Sequence, residues 1–163
     1  MEWNNRWIPR PWLLLDADFA WTHARFKGSA PEGDRIPGAV ENTASVALTL
    51  RDLGAWSASV QVRYLGPRPL IEDNSVRAAS STLTNLRVGR KFRPNVDLTL
   101  DVFNLFDREV NDIEYFYESR LPSEGAGVQD RHLHPAEPRT VRLTLQARFW
   151  ASRPGLPQER GVA

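Results

Sequence analysis

The side chains with the best credentials for chemistry lie late in the chain. His132-Leu133-His134 sets two imidazoles on one side of an extended segment, with Asp130 just before them. Imidazoles so placed could hold a transition metal. No third strong ligand follows, so the plainer reading is an exposed loop with one imidazole fixed by the turn at Pro135. Asp16 and Asp18 share one strand face, roughly 7 Å apart by strand rise. That separation overlaps the spacing of paired carboxylates in glycoside hydrolysis. Neither has an apolar pocket or an acid-tuning neighbour in the sequence, so solvated carboxylates on a polar face are the better reading. Asp97 and Asp101 fall roughly 13 Å apart, too far to act together. Glu114-Tyr115-Phe116-Tyr117-Glu118 offers stacking faces and polar groups in the longest loop, where packing onto neighbouring loops is the competing role. Tyr115, Tyr117, His132 and His134 are therefore the candidate ligand contacts. Glu124-Gly125-Ala126-Gly127 lacks the strand–helix context of a phosphate loop. No nucleophile–His–acid series stands out. The sequence reads as a non-enzyme with no cofactor and no bound metal.

The elements that must carry these residues are strands. The chain has 163 residues, room for one domain or one piece of a larger one. With 21 Lys plus Arg against 20 Asp plus Glu, the net charge is +1, and nothing points to a nucleic-acid partner. Cysteine is absent, which excludes disulfides and thiolate metal sites. The longest apolar run, Trp12 to Leu15, is far short of the ~18 residues of a membrane-spanning helix. Strand-built membrane proteins stay open, because only alternate residues of their strands face lipid.

Alternation of apolar and polar residues appears in six stretches: 13–27, 40–51, 55–65, 81–93, 96–106 and 139–149. In the last, Val141, Leu143, Leu145, Ala147 and Phe149 oppose Thr140, Arg142, Thr144, Gln146 and Arg148. No stretch holds a helical repeat. The connections alternate in length. Asp52-Leu53-Gly54, with Gly in the left-handed position, and Arg93-Pro94-Asn95 are tight. Residues 28–39, 66–80 and 107–138 are long. The expected fold is all-β, an antiparallel meander of six long strands with short turns at one end and long loops at the other. Each strand reaches the roughly 9–11 residues that cross a bilayer when tilted. Trp12, Trp56, Phe92 and Phe149 gather at the short-turn end; Trp21, Tyr64 and Phe106 lie towards the long-loop end. Two such belts suit the two membrane interfaces. Arg90 is the clear exception on the apolar face, near a strand end where it can reach an interface.

Pairing Phe92 with Val96 would set Lys91 opposite Asp97 and Arg87 opposite Asp101 on the polar face, each opposed pair contributing roughly 0.2–1 kcal/mol. The competing register, Arg93 opposite Val96, would mix the two faces along the strands.

With these residues in view, the chain resembles the C-terminal β-barrel region of TonB-dependent outer-membrane receptors. Asn104-Leu105-Phe106-Asp107 resembles their Asn-Leu-Phe-Asp signature. His134-Pro135-Ala136-Glu137-Pro138-Arg139-Thr140 is similar to the approach to their final strand, and Phe149 matches its closing aromatic. Ile36-Pro37-Gly38-Ala39-Val40-Glu41-Asn42 is similar to an earlier stretch of the same region. The resemblance implies that the six strands are the last part of a 22-stranded transmembrane β-barrel in the outer membrane of a Gram-negative cell. It covers residues 13–149 as barrel strands; 1–12, read as an irregular N-terminal segment, and 150–163, read as a disordered tail, depart from the family pattern. It also implies partners: outer-membrane lipid, the plug and upstream strands of the same receptor, and TonB through a part that precedes this chain. The export signal, which Met1 to Arg6 lack, would lie there too. The whole receptor would import a ferric siderophore, another metal chelate, cobalamin or a saccharide, and the fragment would not transport alone. Lys91, Asp97, Arg87 and Asp101 would be charge pairs facing the lumen. The alternative is a self-contained small barrel or sandwich that encloses a lipophilic ligand.

Overall fold

The computed structural model describes residues 1–28 and 31–149. Among them there is no helix. Eleven strands follow in order: β1 Glu2–Arg10, β2 Leu13–Trp21, β3 Asn42–Leu53, β4 Trp56–Leu65, β5 Arg68–Pro69, β6 Arg77–Ala78, β7 Ser81–Arg93, β8 Val96–Phe103, β9 Asn111–Ser119, β10 Val128–Pro135 and β11 Thr140–Ala147. Seven of them form one antiparallel sheet in the order β1-β2-β3-β4-β7-β8-β11. It is a meander into which two small hairpins, β5–β6 and β9–β10, are inserted.

The first strand corrects the sequence reading, which left residues 1–12 irregular and counted six strands. Trp3 pairs with Phe19 and Trp7 with Leu15, so Glu2–Arg10 extends the sheet by one strand. A register shift between Trp7 and Arg10 accommodates Pro9, and proline is tolerated there because β1 has a neighbour on one side only. The first alternating stretch was also drawn too long: β2 ends at Trp21, and the chain then leaves the sheet with Thr22 N–H donating to the Glu41 carbonyl. Residues 150–163, read as a tail, lie outside the described residues.

Alternation becomes two chemically distinct faces because the central cross-strand lines keep their kind. One apolar line runs Trp7, Leu15, Leu48, Val60, Leu86, Val102, Val141 across all seven strands. A polar line runs Thr49, Ser59, Arg87, Asp101, Arg142. A one-residue slip anywhere would break every such line. The apolar face is uncovered: Val141 is 62% exposed, Leu143 66% and Leu145 67%. A self-contained sandwich would bury that face. Here nothing among the described residues packs on it, and the edge strands β1 and β11 do not pair with each other.

Three tight turns lie at one end. Pro11-Trp12 joins β1 to β2, Gly54-Ala55 joins β3 to β4, and Pro94-Asn95 joins β7 to β8. Gly54 takes the expected left-handed conformation (φ 64°), and Asp52 joins it at φ 55° as the ladder shifts between Leu50 and Leu53. The β7–β8 register brings Arg87 opposite Asp101 and Lys91 opposite Asp97 as expected. Its last pair is Arg93 with Val96 rather than Phe92 with Val96. Phe92 is bulged out, which changes the pairing next to the turn and leaves the faces of the strand intact.

Candidate functional site

The opposite end gathers the three long connections, residues 22–41, 66–80 and 104–139. They are tied to one another. Glu41 accepts from Arg35 at 2.8 Å and from Arg77 at 3.3 Å, joining the first connection to the second. Arg35 N–H donates to the Glu72 carbonyl and Gly38 N–H to the Pro69 carbonyl. Arg68 is buried and reaches the Asp112 carbonyl at 3.3 Å, joining the second connection to the third. The buried hydrophobic residues, Leu70 and Ala78, sit in this second connection, so the small core lies under the loops and not under the sheet. Asp73 at the β5–β6 tip accepts from Ser75 N–H at 2.9 Å, which holds its carboxyl below the usual carboxylate range. A side chain at Gly66 would collide with Asn42, whose carbonyl accepts from Gly66 N–H; only glycine allows that approach.

The Asn-Leu-Phe-Asp signature proves to be the corner that closes this end. Asn104 is buried, with a left-handed backbone (φ 48°). Its side-chain amide donates to the carbonyls of Arg108 and Glu137 at 3.0 and 3.1 Å and accepts from Arg108 N–H at 2.9 Å. Its own N–H donates to the Asn85 side chain. Leu105 N–H donates to the Thr84 carbonyl. Asp107 accepts from Arg139 N–H at 2.8 Å, just before β11 begins. One asparagine and one aspartate thus end β8, launch the excursion and catch the chain as it returns. Phe106 is exposed beside them, and Phe149 is exposed beyond the end of β11.

The excursion itself is the β9–β10 hairpin, which the sequence reading took as a loop. Its register places His132 opposite Tyr115 and His134 opposite Ile113. Tyr115, Tyr117, His132 and His134 consequently share one face. Tyr117 and His132 stack, centroids 3.9 Å apart and planes 14° from parallel. Both tyrosines are largely exposed. Glu114 lies on the other face, buried and 3.5 Å from the Arg131 guanidinium, a pair the sequence did not flag. The face can stack on a planar group and offer hydrogen bonds from the tyrosine phenols and the exposed His134 imidazole, while His132 Nε2 is buried. Among the described residues no group of three or more His, Asp or Glu is disposed to hold a metal. An open groove at the hairpin base is lined by Asp107, Arg108, Glu109, Val110, Asn111 and Pro135. Gly127, in the lone Gly-x-Gly, packs on the Glu118 carboxylate, consistent with a hairpin tip and not with a phosphate loop.

Of the charge pairs expected on the polar face, one forms. Arg87 donates to Asp101 at 2.6 Å, and Arg142 approaches the other oxygen at 3.2 Å, making a triad over three strands. The Lys91–Asp97 pair does not form, although the two residues are register partners. Lys91 lies 3.7 Å from Asp52 and Asp97 pairs with Arg148 at 3.1 Å. Both belong to the turn end, where longer side chains have other choices. Asp16 and Asp18 do not act as a carboxylate pair: Asp16 is bound by Arg6 of β1 at 2.6 Å.

The model of the family described as TonB dependent receptor-like, beta-barrel matches residues 1–105, more than half of the chain and including β1. The fold is similar to that of the ferric-catecholate import receptor Fiu from E. coli K12 in its closed form, with a TM-score of 0.72 and 20% identity over 91% of this chain and 20% of that one. The ferric yersiniabactin uptake receptor FyuA from Yersinia pestis gives a TM-score of 0.70 and 20% identity over 91% of this chain and 23% of that one. The siderophore receptor PiuA from Acinetobacter baumannii gives 0.68 and 13% over 90% and 21%. This chain therefore spans about a fifth of the length of each receptor.

Proposed function

Because this chain belongs to the TonB-dependent receptor β-barrel family, we propose that it is the C-terminal wall of an outer-membrane receptor that imports a scarce ligand. Its strands would be the last of a 22-stranded barrel, with the exposed apolar face in lipid and the polar face towards the lumen. The observation that carries this reading is the inversion of burial: Leu143 lies open while Asp101, on the opposite face, is buried. That arrangement costs free energy in water and is favoured in a bilayer. The edges β1 and β11 would pair with upstream strands of the same receptor, since unpaired backbone groups are costly in lipid. A plug and the contact with TonB would come from the part of the receptor before this chain. The fragment would not transport alone. The matched proteins are receptors, which fits a chain without catalytic chemistry.

In this reading the tight turns face the periplasm and the three tied connections face outside. Tyr115, Tyr117, His132 and His134 would contribute to the outer ligand surface, and Arg87 with Asp101 would stand in the lumen wall. Among the ligand classes, a ferric siderophore is favoured, because the tyrosine–imidazole face suits planar rings bearing oxygen acceptors. Another metal chelate, cobalamin or a saccharide would use the same face through hydrogen bonds alone. The test is iron uptake from a panel of ferric siderophores by cells carrying the full-length receptor, with and without residues 112–134. Uptake should depend on TonB and be lost with the hairpin while the barrel still fractionates with the outer membrane. A receptor recovered in the soluble fraction, or one unaffected by loss of the hairpin, would overturn the respective part.

A further inference from the structure

Arg90 carries a charge on the otherwise apolar face. It lies opposite Trp56 on one neighbouring strand and Leu98 on the other. Its guanidinium carbon is 4.9 Å from the Trp56 ring centroid and 4.6 Å from that of Phe92. Phe92, two residues along the strand, stands on the same face as Arg90. Beside the three residues runs a groove lined by Val88, Leu98, Leu100 and Leu143. The carboxylates of this end are taken by other cations: Asp52 by Lys91 and Asp97 by Arg148. Arg90 holds no acidic partner among the described residues.

A guanidinium in an apolar setting draws an anion. Its planar fork matches the oxygens of a phosphate, and two aromatic faces fix it before any ligand arrives. Arg90 lies three residues before the end of β7, at the end where Trp12, Trp56, Phe92 and Phe149 gather. Aromatic residues of that kind sit at headgroup depth. We propose that Arg90, Trp56 and Phe92 form a binding site for the phosphate of a membrane phospholipid, one acyl chain of which lies along Val88, Leu98, Leu100 and Leu143. The site rests on the reading of the apolar face as lipid-facing. It gives this face a preferred lipid instead of a uniform greasy surface.

The test uses the full-length receptor in detergent and native mass spectrometry. The probes are palmitoyl-oleoyl phosphatidylglycerol, the diacylglycerol with the same chains, and inorganic phosphate. A one-to-one phosphatidylglycerol adduct is expected. It should weaken at least tenfold in Arg90→Gln and by less in Arg90→Lys, while diacylglycerol and inorganic phosphate bind at least tenfold more weakly to the unaltered receptor. Equal binding by Arg90→Gln, or equal binding of diacylglycerol, overturns the site. If Arg90→Gln fails to fold, the comparison of the three probes on the unaltered receptor still decides. Insertion into vesicles of phosphatidylethanolamine and phosphatidylglycerol is measured separately. Failure to insert removes the lipid-facing reading and this site with it; insertion without headgroup discrimination removes this site alone.

Discussion

The seven-stranded sheet and the β9–β10 hairpin are both antiparallel β-structure, yet they distribute their residues differently. Along the central lines of the sheet, from Trp7 to Val141 and from Thr49 to Arg142, apolar residues meet apolar residues and polar meet polar. In the hairpin, Glu114 stands opposite Leu133 and Ile113 opposite His134. Sorted faces suit a wall whose two sides meet different media. Unsorted faces suit an element held by its base and set apart from the wall. The corner at Asn104 divides the two.

The wall is the more sensitive region, and the sharpest way to break the comparison is to put a charge on its outer face. Leu143→Arg should destabilise the full-length receptor in vesicles by about 2–4 kcal/mol, the cost of a cation near the bilayer midplane. Thr144→Arg, one residue along on the polar face, should change stability by under about 0.5 kcal/mol. Urea unfolding in lipid measures both. Equal effects would mean that the faces do not see different media.

Asn104→Ala tests the corner. It removes an amide that satisfies two carbonyls and one N–H in a buried place, and places alanine at a positive φ. Loss of about 1–3 kcal/mol is expected from the unsatisfied groups. Amide exchange should quicken at Arg108 and across β9–β10 before it does in β3 or β4. Uniform quickening would make the corner part of the wall and erase the boundary. Asp101→Asn should cost less, about 1–2 kcal/mol, because Arg87 and Arg142 are more than half exposed and water replaces part of the lost pairing. Restoring most of the stability in the double variant Asp101→Asn, Arg87→Gln would show that the triad's cost is one of stranded charge.

How far the sequence reveals each region follows from the same contrast. Where both faces are sorted, alternation alone finds the strands, their order and the Arg87–Asp101 register. It misses β1 because Asn5 interrupts the line between Trp3 and Trp7, and because Pro9 and Pro11 read as breakers; an edge strand tolerates Pro9, and Pro11 belongs to the turn. It misses the hairpin β9–β10 because an unsorted strand has no period to read. Asn104 is legible as part of a motif, but its job is not: the carbonyl of Glu137, which it holds, is distant in sequence. Lys91 and Asp97 show the limit in the other direction. Register fixes which residues are neighbours, and long side chains near a turn still choose other partners.

At the hairpin the expected stability effects nearly vanish while the functional ones grow. Tyr117→Ala removes the ring stacked on His132, an exposed contact worth about 0.5–1.5 kcal/mol at most. It should leave urea unfolding of the barrel unchanged and weaken binding of the proposed ferric siderophore ligand at least tenfold. A variant that destabilises the barrel without touching binding would make the hairpin a piece of wall after all.

The smallest effect belongs to Asp73, in the tied loops and away from both regions. Its carboxyl is held below the usual range chiefly by the N–H of Ser75. The folded pKa is lowered, so the contribution is complete above the ordinary Asp value of about 3.9. It is lost as pH falls through the lower folded value. Exchange at Ser75 N–H, corrected for the intrinsic pH dependence, should therefore be steady from neutral pH down to the ordinary range and quicken only below it. Asp73→Asn should lose that pH dependence. Exchange in β3 and β4 should not respond in this window, because no group there depends on the Asp73 carboxylate. A simultaneous response would mean that the loops and the wall open as one unit, and that the clasp formed by Glu41, Arg35 and Arg77 transmits local melting into the sheet.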